Sequence, residues 1–433
     1  MRSLYLLILL LVSILFTESC SHKNDNQVQF NGDLFDAKHI HEIRLSFTDA
    51  QFWDTLVKNK KLRDSLEISN YTRCNVSIDG HDIKDVGVRL KGESSYDFTK
   101  GKKKSFKIDL NQFIRKQRYS GVSKLNLNNN YKDPSMLREK LTLDLMQQMG
   151  TPTPRNAFAA VYLNDEYWGL YLMEEDINKV FLRKNFGNKN GNFYFCEPNG
   201  NLVQHDKMDE YYHSYKKKNN KSANDWNDLT NFIKVANSIA KEEKYEKDLD
   251  TIFATDNCLK AWAVNNLLVN VDAYNMLYPH NYFLYHDSAT NKLNWINYDY
   301  NFSFAAWTPK YNLQQVCDFD ILFYDKKFPF AVKVLGQNPL LKQRYLAIMK
   351  DLTENYFTKD KFTQLVDSYY SLIKDDVFRD TKKEYSNDDF EKNISTTIGD
   401  KGDPGAFTPG LKEFMECRRA SVLGQLQKHQ QIN

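Results

Sequence analysis

Cys74-Asn-Val-Ser-Ile-Asp-Gly-His-Asp-Ile-Lys-Asp-Val-Gly-Val-Arg-Leu-Lys-Gly-Glu-Ser-Ser95 is the stretch on which the fold turns. Cys74, Val76 and Ile78 are apolar at every second position, and so are Val86, Val88 and Leu90. Asp79-Gly80 between the runs is a turn pair. Side chains alternate faces along a strand, so the pattern predicts a hairpin with one buried face. Phe106, Ile108 and Leu110 continue it in Lys102-Lys-Lys-Ser-Phe-Lys-Ile-Asp-Leu110, which sends Lys107 to the opposite face.

Outward from this sheet the chain changes character. Asp133-Pro134 is a helix-start signal, and Gly150 followed by Thr-Pro-Thr-Pro154 is a stop, so a helix is expected over 134–149. Leu137, Leu141, Leu145 and Met149 form its i,i+4 stripe. Glu139 lies beside the stripe, either steadying a phosphate-facing lysine or pairing with Arg138 at the surface. A second hairpin is expected over 158–163 and 167–173 around Asn164-Asp165. Glu174-Glu175-Asp176 then leads into a helical run, the form of a hinge, which makes Glu174 and Glu175 cofactor-binding candidates.

Residues 188–225, rich in Lys and Asn, read as a long loop or insertion, with Lys216-Lys-Lys-Asn-Asn-Lys221 as its solvated part. Helices are expected over 249–271, 328–335, 339–355, 359–373 and 410–426, with short strands between 272 and 304. The class is α+β, strand-rich over 38–175 and mainly helical over 176–433.

The N-terminus bears on the compartment. Arg2, an apolar run over 4–16 and Thr17-Glu-Ser-Cys20 read as a signal peptide (1–19) ending at a loose lipobox. Cys20 is then the lipidation candidate, 20–37 a linker, and the cell envelope, at the outer membrane, the expected location. The other cysteines, Cys74, Cys196, Cys258, Cys317 and Cys417, are odd in number and widely spaced, which argues against a dense disulfide framework; buried thiols are expected, with one or two long-range disulfides as the alternative outside the cytosol. A net charge of +3 over 433 residues argues against a nucleic-acid partner.

Three residues suggest phosphoryl transfer. Asp299 closes the strand-like Leu293-Asn-Trp-Ile-Asn-Tyr-Asp299, a common place to present a metal-binding carboxylate. Asp272 lies upstream, and Lys107 sits on its basic strand. A cation for phosphates, a base near the acceptor and a carboxylate for magnesium are what the reaction requires.

The chain resembles the spore-coat CotH kinase family of atypical protein kinases. The match is carried by Val86-Gly-Val-Arg-Leu-Lys-Gly-Glu-Ser-Ser95, Lys103-Lys-Ser-Phe-Lys-Ile108 and Lys124-Leu-Asn-Leu-Asn-Asn-Asn130. It continues through Asp133-Pro-Ser-Met-Leu-Arg-Glu-Lys140, Tyr162-Leu-Asn-Asp-Glu-Tyr-Trp-Gly-Leu-Tyr171, His280-Asn-Tyr-Phe-Leu-Tyr285, Trp295-Ile-Asn-Tyr-Asp299 and Leu411-Lys-Glu-Phe-Met-Glu-Cys-Arg-Arg419.

The resemblance implies a protein-kinase-like bilobal fold with ATP and Mg2+ between the lobes. It implies an exported kinase acting on Ser/Thr of a secreted or surface protein. Carried over by motif, Asp272 is the catalytic aspartate, and Asp299 and Asn281 are the metal ligands. Lys107 is taken as the phosphate lysine, with Arg89 and Lys91 competing for that role. Two positions depart from the family pattern: Asn301 replaces a second acidic residue, and Glu93 stands where Asn is common. The alternatives are an inactive kinase-like module for surface binding or assembly, or an adenylyl transferase.

Overall fold

The computed structural model describes residues 27–28, 33–67 and 70–432. Cys20 and the expected signal peptide lie outside the described residues. Among the described residues, no helix is long and apolar enough to cross a membrane.

Seven strands close into a barrel: β1 (His41–Ser46), β2 (Thr72–Ile78), β3 (His81–Lys91), β4 (Ser105–Asp109), β5 (Lys124–Asn128), β6 (Asn156–Leu163) and β7 (Glu166–Glu175). Their order is β1-β2-β3-β4-β5-β7-β6, antiparallel throughout except for the parallel β1–β6 pair that closes the ring. The alternation read from the sequence fills one face. Val76, Ile78, Val86, Val88, Leu90, Phe106 and Ile108 are each at most 1% exposed and share one core. Each such side chain contributes roughly 1.5–3 kcal/mol by leaving water.

The same parity lays out the opposite face. Arg89 stands across from Lys107, Lys107 from Asn126, and Asn126 from Glu174, so four adjacent strands present one polar row. A one-residue slip in any strand would bury its member of that row.

The helix expected after Asp133 starts later than the sequence suggests. Helix α1 spans Arg138–Gln148, not 134–149. The Asp133 carboxylate is used in a turn, accepting from the backbone N–H of Ser135 (2.9 Å) and of Arg138 (2.8 Å). It also pairs with the buried Arg138 guanidinium, which reaches on to Asn393 and the carbonyl of Pro409. Arg138 is 0% exposed and Glu139 7%, so the surface-pair reading of these two residues is overturned. The apolar stripe of the helix is buried as expected.

After β7 come helix α2 (Lys179–Phe186) and a four-stranded sheet made of β8 (Phe193–Phe195), β9 (Lys216–Lys217), β10 (Tyr282–Asp287) and β11 (Lys292–Asn297), in the order β9-β8-β10-β11. Residues 188–225 are therefore not a plain loop, because β8 pairs on both sides and Lys217 is buried. The signal was Phe193-Tyr-Phe195, an aromatic run too short to stand out in polar text.

Helix α3 (Thr255–Leu267) is buried on nearly every side. The single helix expected over 249–271 is broken before it, where the Ala254 N–H donates to the Leu293 carbonyl at 2.8 Å.

Helices α4 (Leu313–Cys317), α5 (Lys359–Arg379) and α6 (Leu411–Ile432) are among those that follow. A Cys317–Cys417 disulfide ties α4 to α6 across a separation of 100 residues, so for this pair the long-range alternative holds rather than the expected buried thiols. Sequence spacing hid it because packing, not proximity in the chain, brings their Cα atoms to 5.4 Å. Cys74, Cys196 and Cys258 are buried thiols. Closing so long a loop restricts the unfolded chain, so Cys417→Ser is expected to lower the unfolding free energy by about 2–4 kcal/mol. Denaturant melts without reductant check this, and equal midpoints for the two proteins would refute it.

The stretch Tyr167-Trp-Gly-Leu-Tyr171 clamps the barrel to the helices. Gly169 has φ +131°, and a Cβ there would lie 2.3 Å from Oδ2 of Asp380, just past α5. That carboxylate pairs with buried Lys103 and accepts from the Leu170 N–H at 3.1 Å. Tyr167 donates to the Asp376 carbonyl at 2.8 Å.

Candidate functional site

The polar row of the barrel faces the four-stranded sheet across a cleft of about 570 Å³. That is the size of a small-ligand site. Its barrel wall carries Arg89, Lys91, Lys107, Glu174 and Asp176. Phe193, Phe195, Phe283 and Tyr298 form an aromatic floor, with Phe195 stacked on Phe283 at 4.7 Å between centroids.

The far wall is built from three segments. Asp272 comes from the turns after α3, Asn281 from the residue before β10, and Asp299 from just past β11. Asn281 and Asp299 have φ of 64° and 58°, a left-handed backbone that Asn and Asp tolerate better than most residues. The Tyr298 N–H donates to the Asn281 carbonyl at 2.9 Å and locks the two turns together. Asn281 Nδ2 donates to the Asp272 carbonyl (2.7 Å) and to its Oδ2 (2.9 Å). His280 Nε2 lies 2.8 Å from Asp272 Oδ1, and the Asn281 N–H donates to Glu197 Oε1 at 2.9 Å.

Charge is unbalanced across and behind this cleft. Burial, and then Asp272 nearby, raise the Asp299 pKa above the ordinary carboxylate range. Burial would lower the His280 pKa, but the hydrogen bond to Asp272 and the surrounding carboxylates raise it overall. Burial pushes Glu174 up to about 7 and holds Glu139 well above its usual range. Burial lowers the Lys91 pKa despite the pull of Glu174, Glu139 and Asp299. These carboxylates therefore outnumber the cation held among them.

The two lysines differ in how they are held. Burial disfavours an ionised Asp176, but Lys107 beside it outweighs that and brings its carboxyl down to about 2. Lys107 is thus already committed to a carboxylate. Lys91 donates to Asn128 Oδ1 at 2.7 Å, and Asn128 Nδ2 donates to Glu139 (3.0 Å) and Glu174 (2.9 Å). The geometry gives Lys91, rather than Lys107, the link to a helix carboxylate.

Among the residues singled out in the sequence, Asp272, Asn281, Asp299, Lys107, Arg89, Lys91 and Glu174 meet at this cleft. Glu139 sits behind it, in a smaller recess shared with Lys91, Glu174 and Asp299. Glu175 faces the other way, where Arg155 holds both of its oxygens at 2.9 Å. Strand parity separates Glu174 from Glu175 and returns Asp176 to the cleft side. Asp176, Glu197 and Lys218 also line the cleft and were missed as site residues. Parity could have found Asp176; Glu197 and Lys218 arrive with the segment first read as a loop.

Gly92 explains part of the deciding stretch. Its φ of +90° turns the chain at the end of β3, and a Cβ would lie 2.2 Å from Ser95 Oγ. That turn sets Glu93, Ser94 and Ser95 along the cleft mouth.

A family model described as CotH kinase protein matches residues 88–422. The chain belongs to the CotH kinase protein family. Inner spore coat protein H of Bacillus subtilis (strain 168) is similar to it, at 24% identity over 313 residues, 71% of this chain and 82% of that protein. The family match contains every cleft residue named above. Glu93 and Asn301, where this CotH-family chain departs from the pattern, both line the cleft.

Proposed function

We propose that this CotH-family protein is an exported ATP-dependent protein kinase. In this reading residues 38–175 and 176–433 form the two lobes of a protein-kinase-like fold, with the nucleotide between them. The observation that carries it is the convergence of Asp272, Asn281 and Asp299 on one cleft, opposite Lys91, Arg89 and Lys107.

The donor set fits magnesium. Asp299 offers carboxylate oxygens short of positive charge, and Asn281, with its amide hydrogens given to Asp272, offers its carbonyl oxygen. Mg2+ held by these residues supplies neutralising charge to the phosphate oxygens. Lys91 and Arg89 bind phosphates from the barrel side, and Lys107, tethered by Asp176, guards the row beside them. Ile177 and the aromatic floor give a nucleobase an apolar bed. Asp272, fixed by Asn281 and His280, accepts the proton of a Ser or Thr hydroxyl on the acceptor protein. Positioning and fixed charge supply the rate.

The name of the Bacillus relative describes a coat protein, and we extend surface or coat association to this chain, with lipid attachment at Cys20 on the outer membrane. A second reading, an inactive assembly module, draws support from that name and from neutral Asn301 in the cleft.

Calorimetric titration of ATP into the protein, with and without Mg2+, separates the two. Metal-dependent binding that is lost in Asp299→Ala supports the kinase. Absence of binding at millimolar ATP by the folded protein ends that reading and leaves the module.

A further inference from the structure

A second group of metal-ligating side chains lies outside the family-matched residues 88–422. His39 precedes β1, His41 opens it, and Asp79 sits in the Asp79-Gly80 turn between β2 and β3. One donor atom from each of the three lies within 4.8 Å of the others. His41 Nδ1 is 2.7 Å from Asp79 Oδ2, and His39 Nε2 is 3.7 Å from Asp79 Oδ1. The two imidazoles meet edge to face at 4.7 Å between centroids. His81 stands across the same turn, its Nδ1 3.1 Å from the Asp79 carbonyl. Three of the chain's nine histidines thus gather at one hairpin end, a concentration the fold alone does not require.

His41 is 1% exposed, and the nitrogen it turns to Asp79 is Nδ1, so Nδ1 is the atom that meets an ion shared with that carboxylate. His39 remains half open to solvent, at 55% side-chain exposure, which leaves an entry path.

We propose that His39, His41 and Asp79 form a binding site for a divalent transition-metal ion. Two imidazoles and one carboxylate suit Zn2+ and its neighbours, whereas Mg2+ and Ca2+ prefer oxygen-only sets. Zinc sits about 2.0–2.2 Å from such donors, so binding replaces the His41–Asp79 hydrogen bond and draws His39 inward. Bound there, the ion pins the entry of β1 to the β2–β3 turn, beside the backbone bond from the Asp79 N–H to the Glu42 carbonyl at 2.9 Å. The site is independent of the kinase reading.

The test uses the full chain and Zn2+ alone as the probe, titrated calorimetrically in excess Mg2+. Co2+ absorption serves as a second, spectroscopic readout. Wild type is expected to bind one equivalent of Zn2+ that His39→Ala weakens by about tenfold or more and Asp299→Ala retains. Zinc is also expected to raise the Tm of wild type and not that of His39→Ala. His39 is exposed, so its variant keeps the fold and the comparison stays interpretable. No saturable binding, or equal binding by wild type and His39→Ala, overturns the proposal; so does loss of the ion in Asp299→Ala, which assigns it to the cleft.

Discussion

Asp299→Asn is expected to cost the protein its magnesium-dependent ATP binding while leaving the metal-free fold more stable near neutral pH. The loss follows from charge. Lys91, His280 and the Asn301 N–H compensate the Asp299 carboxylate only in part, and an amide of the same shape removes the charge that would attract the cation. Deleting one preorganised electrostatic contact typically costs about 100–1,000-fold, so phosphoryl transfer should fall by at least that factor. The gain follows from linkage. Burial and Asp272 raise the folded-state pKa of Asp299. An acid with a raised pKa destabilises the fold above that pKa and ceases to do so as pH falls below the unfolded value. The Tm advantage of Asp299→Asn should therefore be largest near pH 7 without metal and should fade as the carboxylate range is entered. It should also reverse when Mg2+ and ATP are present, because only wild type is stabilised by them. Thermal melts at several pH values with and without Mg2+ measure all of this. A lower Tm for the variant in metal-free buffer at pH 7 would show that Asp299 serves the fold instead.

What the sequence made legible was whatever a two-residue period governs. The alternation at Cys74–Ile78, Val86–Leu90 and Phe106–Leu110 put the right residues inside, and the opposite parity brought Arg89, Lys91 and Lys107 together on one face. The same rule, applied to Glu174-Glu175-Asp176, separates the cleft residues from Glu175; treating the three as one acidic connector obscured it. What stayed hidden depends on long-range packing. The Cys317–Cys417 bridge, the Asp133 turn around Arg138 and the entry of β8 into the second sheet each join segments without local pattern. The link from Lys91 to Glu139 was hidden for a related reason: it runs through Asn128, which joins a helix residue to strand residues.

Asp272→Asn tests the chemistry separately from binding. Its carboxylate receives Asn281 Nδ2 at 2.9 Å on one oxygen and faces His280 Nε2 at 2.8 Å on the other. Both contacts hold the group still. An Asn of the same size can keep one of these bonds, but it cannot take a proton from the acceptor hydroxyl. Losing a positioned general base costs roughly 100- to 10,000-fold, so kcat should fall in that range. ATP affinity should change little, because Asp299, Asn281, Lys91 and Arg89 remain. That split between kcat and nucleotide binding distinguishes a base from a metal ligand, whose loss would weaken both. His280 adds a check on the same wall. Its folded pKa is raised, so its contribution to stability is full below the ordinary imidazole range and is lost as pH rises through the folded value. The Tm difference between wild type and His280→Gln, in metal-free buffer, should accordingly shrink as pH rises. Single-turnover transfer from labelled ATP, read beside calorimetric binding for Asp272→Asn, decides the assignment. Transfer at the wild-type rate would remove Asp272 from the reaction, and a parallel loss of ATP binding would move it into the metal-holding set with Asp299.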